Sequence, residues 1–362
     1  MSGRILSKSD LVVLAVGVLA VAAAGVMHYG KMPAVLAFVV AGAAVALLAS
    51  LVGRSVEQLG DRFGPGATGV LQSALGNLPE LFIGFFALRA GLLAVVQAAI
   101  IGSILSNILL VLGLAFVVGG LKHGRQRFDS DRARTSTVLM VLATAALVMP
   151  SLAQYVHAPA APHEKALSLV VSAVLLGVFL LSLPSALKRS ASAEPGKAPD
   201  EKRAEEHAGP RWPLWLALTM LTGASVAAAL VSDWFVSALE PAITSLGVSQ
   251  AFAGLVIVAI AGNAIENVIG IQLAYRNQAD FAMSVIIQSP LQVALVLAPA
   301  LVLLSLFTAT TLTLVFAPLL VMAVAIAVLA TTFIVFDGES TWLEGVTLIA
   351  LYAIIATTFW WG

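Results

Sequence analysis

Two glutamates, Glu80 and Glu266, lie within long apolar stretches of the sequence. An acidic side chain at the centre of a membrane helix is unfavourable by on the order of 2.5 to 3.5 kcal/mol, so its presence calls for a functional reason. Each glutamate follows an asparagine by three residues, Asn77 and Asn263, and on a helix this spacing predicts that amide and carboxylate share one face. Amide and carboxylate oxygens are hard ligands for cations such as Ca2+. These residues therefore indicate cation binding inside a membrane.

The two segments are copies of one another. GNLPELFIG, from Gly76, aligns with GNAIENVIG, from Gly262, and the same offset of 186 aligns IIGSIL, from Ile100, with IIQSPL, from Ile286. Ten positions match between residues 76–112 and 262–298. A duplicated buried carboxylate predicts that one cation binds between the two copies.

The spans that follow each glutamate add a second polar layer. Ser103 and Ser106 occupy the positions that Ser289 and Gln292 occupy in the second copy. Asn107, Gln97 and Gln288 are further polar residues of these spans, although serine and asparagine in membrane helices often only join helices by hydrogen bonds. The predicted cation- and proton-binding set, with the two glutamates as metal ligands, is Glu80, Glu266, Asn77, Asn263, Ser103, Ser106, Ser289 and Gln292.

The predicted site favours exchange of a cation for protons. Gly76 and Gly262 weaken the helices and Pro79 removes a backbone donor, so we expect nearby carbonyl groups to turn inward, as in the broken helices of transporters. An all-oxygen site with two carboxylates suits Ca2+, which takes about 6 to 8 oxygen ligands. Without the ion, desolvation and mutual repulsion favour protonated carboxyl groups, so protons and the cation replace each other.

The composition places these residues in a membrane protein. With 60% hydrophobic residues, 10% charged residues and a mean hydropathy of +1.01, the chain is predicted to be an all-α integral membrane protein in contact with lipid. Lys+Arg and Asp+Glu are balanced at 19 each, so nothing indicates a nucleic-acid partner, and the absence of Cys excludes thiol chemistry. The residues that an intramembrane protease or prenyl-transfer enzyme requires are not evident, which favours a transporter. A passive channel is the other alternative.

Apolar runs of about 20 residues predict eleven transmembrane helices. They fall near residues 10–29, 33–54, 66–89, 93–119, 133–152, 165–187, 213–236, 248–275, 281–306, 311–335 and 341–361. The predicted organisation is an extra N-terminal helix (1–32), a five-helix repeat (33–187), a charged cytoplasmic linker (188–212) and a second five-helix repeat (213–362). An odd number of helices per repeat makes the repeats inverted. The first run also resembles a signal peptide, and we favour a retained helix.

The positions of Lys and Arg predict the orientation. With a cytoplasmic N-terminus, 16 of the 19 fall on the cytoplasmic side, which leaves Lys31, Arg89 and Lys165 on the other. The C-terminus then lies on the opposite side, and a bacterial inner membrane is the expected location. Glu240, before Pro241 at a predicted helix end, is expected to be solvated, while the role of Asp233 stays open. The run DGES, from Asp337, predicts a loop with an N-cap for the last helix.

The sequence resembles the Ca2+/H+ antiporter (cation exchanger) family of the calcium/cation antiporter superfamily. The resemblance rests on GNLPELFIGFFALRAG and VVQAAIIGSILSNILLVLG in the first half, and on LEPAITSLGVSQAFAGLVIVAIAGNAIEN, SPLQVALVLAP and DGESTWLEGVTLIALYAI in the second. It implies eleven helices and a pair of repeat glutamates, here Glu80 and Glu266, that bind Ca2+ and exchange it for H+. Asn267 stands where many members have His, and GNLPEL also resembles a motif of Na+/Ca2+ exchangers.

We therefore expect a secondary active antiporter that exchanges cytoplasmic Ca2+ for H+ by alternating access. We expect it not to be an enzyme and to require no cofactor. Ca2+ is the expected transported substrate. The alternative is an antiporter of the same fold that exchanges Na+ for Ca2+, or one that exchanges Na+ or K+ for H+.

Overall fold

A computed structural model describes residues 6–63, 71, 75–191 and 212–361. Nearly all the described segments are helices, which confirms the predicted all-α class. Apolar stretches adopt helices in a membrane because a helix satisfies its backbone polar groups within one segment. Most of the predicted linker and most of the start of the third predicted span lie outside the described residues.

The helices follow the predicted order, and two short strands, which were not predicted, lie between them. In the first half they are α1 (Lys8–Tyr29), α2 (Ala34–Phe63), α3 (Leu78–Arg89), α4 (Leu93–His123), β1 (Gln126–Arg127), α5 (Ser130–Tyr155) and α6 (Glu164–Ala191), which a 3-10 turn (Ala161–His163) precedes. In the second half they are α7 (Leu214–Leu246), α8 (Gln250–Gly262), α9 (Ala264–Tyr275), α10 (Ala279–Ser305), α11 (Pro318–Val335), β2 (Glu339–Ser340) and α12 (Trp342–Thr358).

Within the described residues, eight helices are long and apolar enough to cross a membrane. A ninth span arises if α8 and α9, which are inclined by 64°, are counted as one broken helix. The other two helices are shorter, with 12 residues in α3 and 17 in α12. Each of the eleven predicted spans overlaps at least one helix, while the number that cross the membrane stays a prediction.

The chain forms two compact units, and each takes elements from both halves of the sequence. The smaller unit comprises residues 1–83 and 177–239, and the larger unit comprises residues 84–176 and 240–362. These units are defined by packing, whereas the boundaries predicted at residues 33–187 and 213–362 follow the sequence repeat, which stays a prediction.

In the smaller unit, α1, α2 and α7 pack together. Ser7 and Asp10 form a capping box at the start of α1, and Asp10 also pairs with Arg54 of α2 at 2.8 Å. At the same end, the Arg62 guanidinium donates to the backbone oxygen of Trp212, just before α7. Ends of helices that the charge pattern assigns to the cytoplasm therefore meet in this unit.

In the larger unit, α4 is central and is packed at close range through glycine. A Cβ atom on Gly102 would lie 2.2 Å from the backbone oxygen of Leu255 in α8, and one on Gly113 would lie 2.7 Å from that of Gly345 in α12. Only glycine permits such close approach of two helix backbones.

Three helices of the larger unit contain π-helical turns. They are Ser106–Val111 in α4, Ala253–Val258 in α8 and Val293–Leu297 in α10. The repeat offset aligns the first π-helical turn with residues 292–297, which contain the third turn, so these two turns occupy equivalent positions in the repeat. Such turns widen a helix locally and often occur at functional sites.

Loops that the charge pattern assigns to the cytoplasm meet at one end of the larger unit. β1 pairs antiparallel with β2, with Gln126 opposite Ser340. The Gln126 amide also donates to the backbone oxygen of Ala274 at 3.2 Å, and the Asp129 backbone N–H donates to Asp280 at 2.6 Å. The loops after α4, α9 and α11 thus form one cluster.

Three local predictions were wrong. The segment from residue 311 to 317 is extended, and α11 begins only at Pro318. Glu240 is exposed as expected but is not at a helix end, because α7 continues past Pro241 to Leu246. The N-cap of α12 is Thr341, which forms a capping box with Glu344, and not a residue of DGES.

Candidate cation-binding site

Each Asn-x-x-Glu segment of the repeat lies at the start of a helix. α8 ends at Gly262 and α9 begins at Ala264, with Asn263 between them at φ −95° and ψ 11°. In the first copy, Asn77 lies in a turn immediately before α3. Asn263 occupies the break and Glu266 the first turn of α9, and both side chains contact the Ser289 hydroxyl, so this pair shares one face as its spacing predicts. For Asn77 and Glu80 the shared face stays a prediction.

Asn263 is the centre of a buried hydrogen-bond network. Its Nδ2 donates to Ser103 Oγ and to the backbone oxygen of Ala259, both at 3.0 Å. Its Oδ1 accepts from Asn107 Nδ2 at 3.2 Å and from Ser289 Oγ at 3.1 Å. Two donors and two acceptors saturate the amide, which fixes its orientation in the break.

Glu266 joins this network through Ser289. The Ser289 hydroxyl lies 2.6 Å from Glu266 Oε2 and 3.1 Å from Asn263 Oδ1. A hydroxyl has one proton, so it cannot donate fully to both acceptors. Both short contacts are satisfied when Glu266 carries a proton that it donates to Ser289, while Ser289 donates to Asn263. The geometry thus suits a protonated glutamate.

The structure brings together four members of the predicted set: Ser103, Asn263, Glu266 and Ser289. Ser106 is buried, but its hydroxyl donates to the backbone oxygen of Ser103 in its own helix, at 3.3 Å. Gln292 is buried and immediately precedes the third π-helical turn. Ligand roles for these two residues stay predictions.

Asn77 and Glu80 belong to the smaller unit. Asn77 is buried and Glu80 is half-buried. The pairing of Glu80 with Glu266 stays a prediction from the sequence repeat.

Asn107 was missing from the predicted site set. It is fully buried, and its Nδ2 donates to the backbone oxygen of Ser103 at 2.9 Å as well as to Asn263. Its repeat equivalent is Val293, so the symmetry argument gave it no support. Its position four residues after Ser103, at the start of a π-helical turn, is the signal that could have identified it. Gln288, in contrast, is exposed.

The network can supply oxygen ligands to a hard cation. In the described part of the chain, no group of three or more His, Cys, Asp or Glu side chains is clustered for metal binding. The available ligands are instead one carboxylate, one amide oxygen and two hydroxyls, from Glu266, Asn263, Ser103 and Ser289, a set that suits Ca2+. Because Asn263 Oδ1 already accepts two hydrogen bonds, a cation must displace Ser289 or Asn107 from that oxygen in order to bind it.

Comparisons with known proteins give matches over nearly the whole chain. Residues 33–187 and 216–361 match the family described as sodium/calcium exchanger protein. The chain is 36% identical to the Ca(2+)/H(+) antiporter of Synechocystis sp., over 89% of this chain and 90% of that protein. It is 35% identical to the Ca(2+)/H(+) antiporter ChaA of Bacillus subtilis, over 98% and 99%. The solved structure of native YfkE is 33% identical and superimposes with a TM-score of 0.79, over 97% of this chain and 99% of that one.

Proposed function

The chain belongs to the sodium/calcium exchanger protein family, and we propose that it exchanges cytoplasmic Ca2+ for H+ by alternating access. Relatives that match most of the chain, at 35% and 36% identity, are Ca2+/H+ antiporters. Family and relatives are transporters, so the intramembrane enzyme alternative is not supported. Ca2+ is the transported substrate and the exchange needs no cofactor.

The observation that carries the proposal is the buried connection from Glu266 through Ser289 to Asn263. In the proton-bound state, Glu266 carries the proton and the two hydrogen bonds of Ser289 are satisfied. When Ca2+ binds, the carboxylate, the Ser289 hydroxyl and Asn263 Oδ1 turn their lone pairs to the ion. The proton is then released, because a carboxyl oxygen cannot bind a proton and Ca2+ with the same lone pair.

Glu80 is proposed to supply the second carboxylate, with Asn77 in the role that Asn263 has in the other repeat. The sequence repeat supports this assignment, as does the position of each Asn-Glu pair at the start of a helix. Ser106 and Gln292, at matched positions, are proposed as further oxygen ligands. Two carboxylates would balance the charge of one Ca2+, and two protons would balance them in its absence.

We also propose that the N-terminus is cytoplasmic and the C-terminus lies on the opposite side of a bacterial inner membrane. The contacts among the loops after α4, α9 and α11 support the predicted order of spans, which places all three on one side. The Lys and Arg count supports the assignment of that side to the cytoplasm. At the other end of the larger unit, the Ser249 hydroxyl donates to the backbone oxygen of Phe359, which joins two segments assigned to the outside.

Purified protein in liposomes with an imposed pH gradient tests the function. Wild-type protein should accumulate Ca2+ against its gradient, and Glu80→Gln and Glu266→Gln should each reduce uptake to near background. Glu240→Gln, which changes an exposed glutamate of α7, is the matched control and should behave as wild type. Uptake driven by a Na+ gradient but not by protons would favour the Na+/Ca2+ alternative, and normal uptake by both site variants would refute the assigned roles.

A further inference from the structure

The extended segment of residues 311–317, here called the strap, is an irregular chain within an otherwise helical unit. It connects α10 to α11, and alternate residues, Leu312, Leu314 and Phe316, are buried. An extended chain with no neighbouring strand leaves its backbone N–H and C=O groups without helical or sheet partners. Inside a membrane such groups require partners from the protein.

Polar side chains of the surrounding helices supply these partners. Ser305 Oγ accepts from the Leu312 N–H and Ser168 Oγ from the Leu314 N–H, both at 2.9 Å. Ser151 Oγ accepts from the Phe316 N–H at 2.9 Å and donates to the Leu314 oxygen at 3.0 Å. The Tyr155 hydroxyl donates to the Phe316 oxygen.

Gln97 of α4 completes the set. Its Nε2 donates to the Thr313 oxygen at 3.2 Å and to the Val315 oxygen at 2.8 Å. The sequence alone left open whether Gln97 belongs to the ion-binding layer. Here both protons of its amide nitrogen are used by the strap, which gives Gln97 a structural role.

Some of the helices that contact the strap carry residues of the candidate site and others do not. α5 and α6, which contribute Ser151, Tyr155 and Ser168, carry no residue of the candidate site. α4 carries Ser103, six residues after Gln97 and therefore about 9 Å further along the helix. Gln97 thus links the strap to a helix that forms part of the site.

The packing of α4 against α8 gives this link its importance. Gly102 and Gly254 allow the two helices to approach so closely that a Cβ atom would clash with the opposite backbone. A contact made by glycine is nearly smooth, and it fixes the distance between helices better than their relative position along the axis. Directed hydrogen bonds are needed to fix that axial position.

We propose that Gln97 is a positioning residue, whose amide fixes the axial position of α4 so that Ser103 stays within hydrogen-bonding distance of Asn263. The inference rests on the proposed function, since it assigns Gln97 a part in forming the Ca2+ site. Loss of the Gln97 bonds would let α4 shift by a fraction of an ångström. Such a shift weakens the 3.0 Å contact between Asn263 Nδ2 and Ser103 Oγ.

The test distinguishes an effect on the Ca2+ site from an effect on protein stability. It compares variants that each remove hydrogen bonds to the strap. Gln97→Met keeps the length of the side chain but removes both donors, and Ser168→Ala removes one bond from a helix outside the site. We expect Gln97→Met to raise the half-saturating Ca2+ concentration by about tenfold or more, with the maximal rate within about twofold of wild type. Ser168→Ala should lower the thermal unfolding midpoint and leave half-saturation unchanged. Val315→Thr, which changes the side chain but keeps the accepting carbonyl, should alter neither.

Gln97→Asn provides a second variant that keeps the amide. Its side chain is shorter by one bond of about 1.5 Å, so either the amide loses the strap or α4 moves towards it. Both results displace Ser103, so half-saturation should rise in this variant as well. An unchanged half-saturation in the Gln97 variants, or an equal rise in Ser168→Ala, overturns the inference. Absence of proton-driven Ca2+ uptake by the wild-type protein would instead refute the proposed function.

Discussion

Ser289→Ala is the substitution that most directly probes the candidate site. The Ser289 hydroxyl is buried and is the group that connects Glu266 Oε2, at 2.6 Å, with Asn263 Oδ1, at 3.1 Å. Alanine removes this connection with little change in volume. Asn263 Oδ1 then loses one hydrogen bond and keeps the one from Asn107, and the carboxyl group of Glu266 loses a close polar neighbour.

The expected effect follows from the hydrogen bonds that are lost. A bond between a hydroxyl and a charged group contributes about 1.5 to 3 kcal/mol. If the Ca2+-bound state loses an interaction of this size as a direct oxygen ligand, affinity falls by about 10- to 100-fold, since each 1.4 kcal/mol corresponds to about tenfold.

The assay is Ca2+ uptake into liposomes at a fixed pH gradient, measured over a range of Ca2+ concentrations. Ser284→Ala, which changes an exposed serine of the same helix, is the matched control and should behave as wild type. A Ser289→Ala variant that folds normally and has wild-type half-saturation would refute the reasoning that this hydroxyl is part of the binding site.

Two further predictions concern Asn107 and the orientation of the chain. Asn107→Val introduces the residue found at the equivalent position of the second repeat. The loss of the bond from Asn107 to Asn263 should raise the half-saturating Ca2+ concentration by about tenfold in the same uptake assay. Wild-type half-saturation would contradict the role of Asn107 in orienting the Asn263 amide. Because the chain has no Cys, a single introduced cysteine reports its side of the membrane directly. A membrane-impermeant maleimide should label Ser245→Cys in intact cells and should label Arg125→Cys only after permeabilisation. The reverse pattern would invert the proposed orientation.

The sequence predicted the central part of the site because the repeat identified it. A constant offset brought together Asn263, Glu266 and Ser289 as copies of residues in the first half, and the structure joins these three by hydrogen bonds. The helix break was also expected from Gly262. The π-helical turns were not predicted, because a π turn differs from an α turn in backbone hydrogen bonding and leaves no clear pattern of polar residues.

The strap was missed because hydropathy alone does not distinguish a buried extended chain from a helix. The run TLTLVFA before Pro318 is apolar enough to extend the predicted tenth span. Its burial alternates, with Leu312, Leu314 and Phe316 inside, which is the two-residue period of an extended chain. Ser151 and Ser168, which bind its backbone, lie on helices distant in sequence, so no local pattern could indicate them.

Comparison of the two repeats separates oxygen ligands from positioning residues. Ser103 and Ser289 occupy matched positions, as do the two Asn-Glu pairs, and all of these residues offer oxygen atoms to a cation. Gln97 and Asn107 are polar in one repeat only, where their equivalents are Met283 and Val293. In the structure both use amide N–H groups to hold backbone or side-chain oxygens in place. A cation bound on a two-fold pseudo-symmetry axis requires ligands from both repeats, whereas a bond that fixes one helix is needed only where that helix would otherwise slide. Substitutions at the two matched glutamates should therefore abolish exchange, and those at Gln97 and Asn107 should weaken Ca2+ binding while exchange remains coupled to protons.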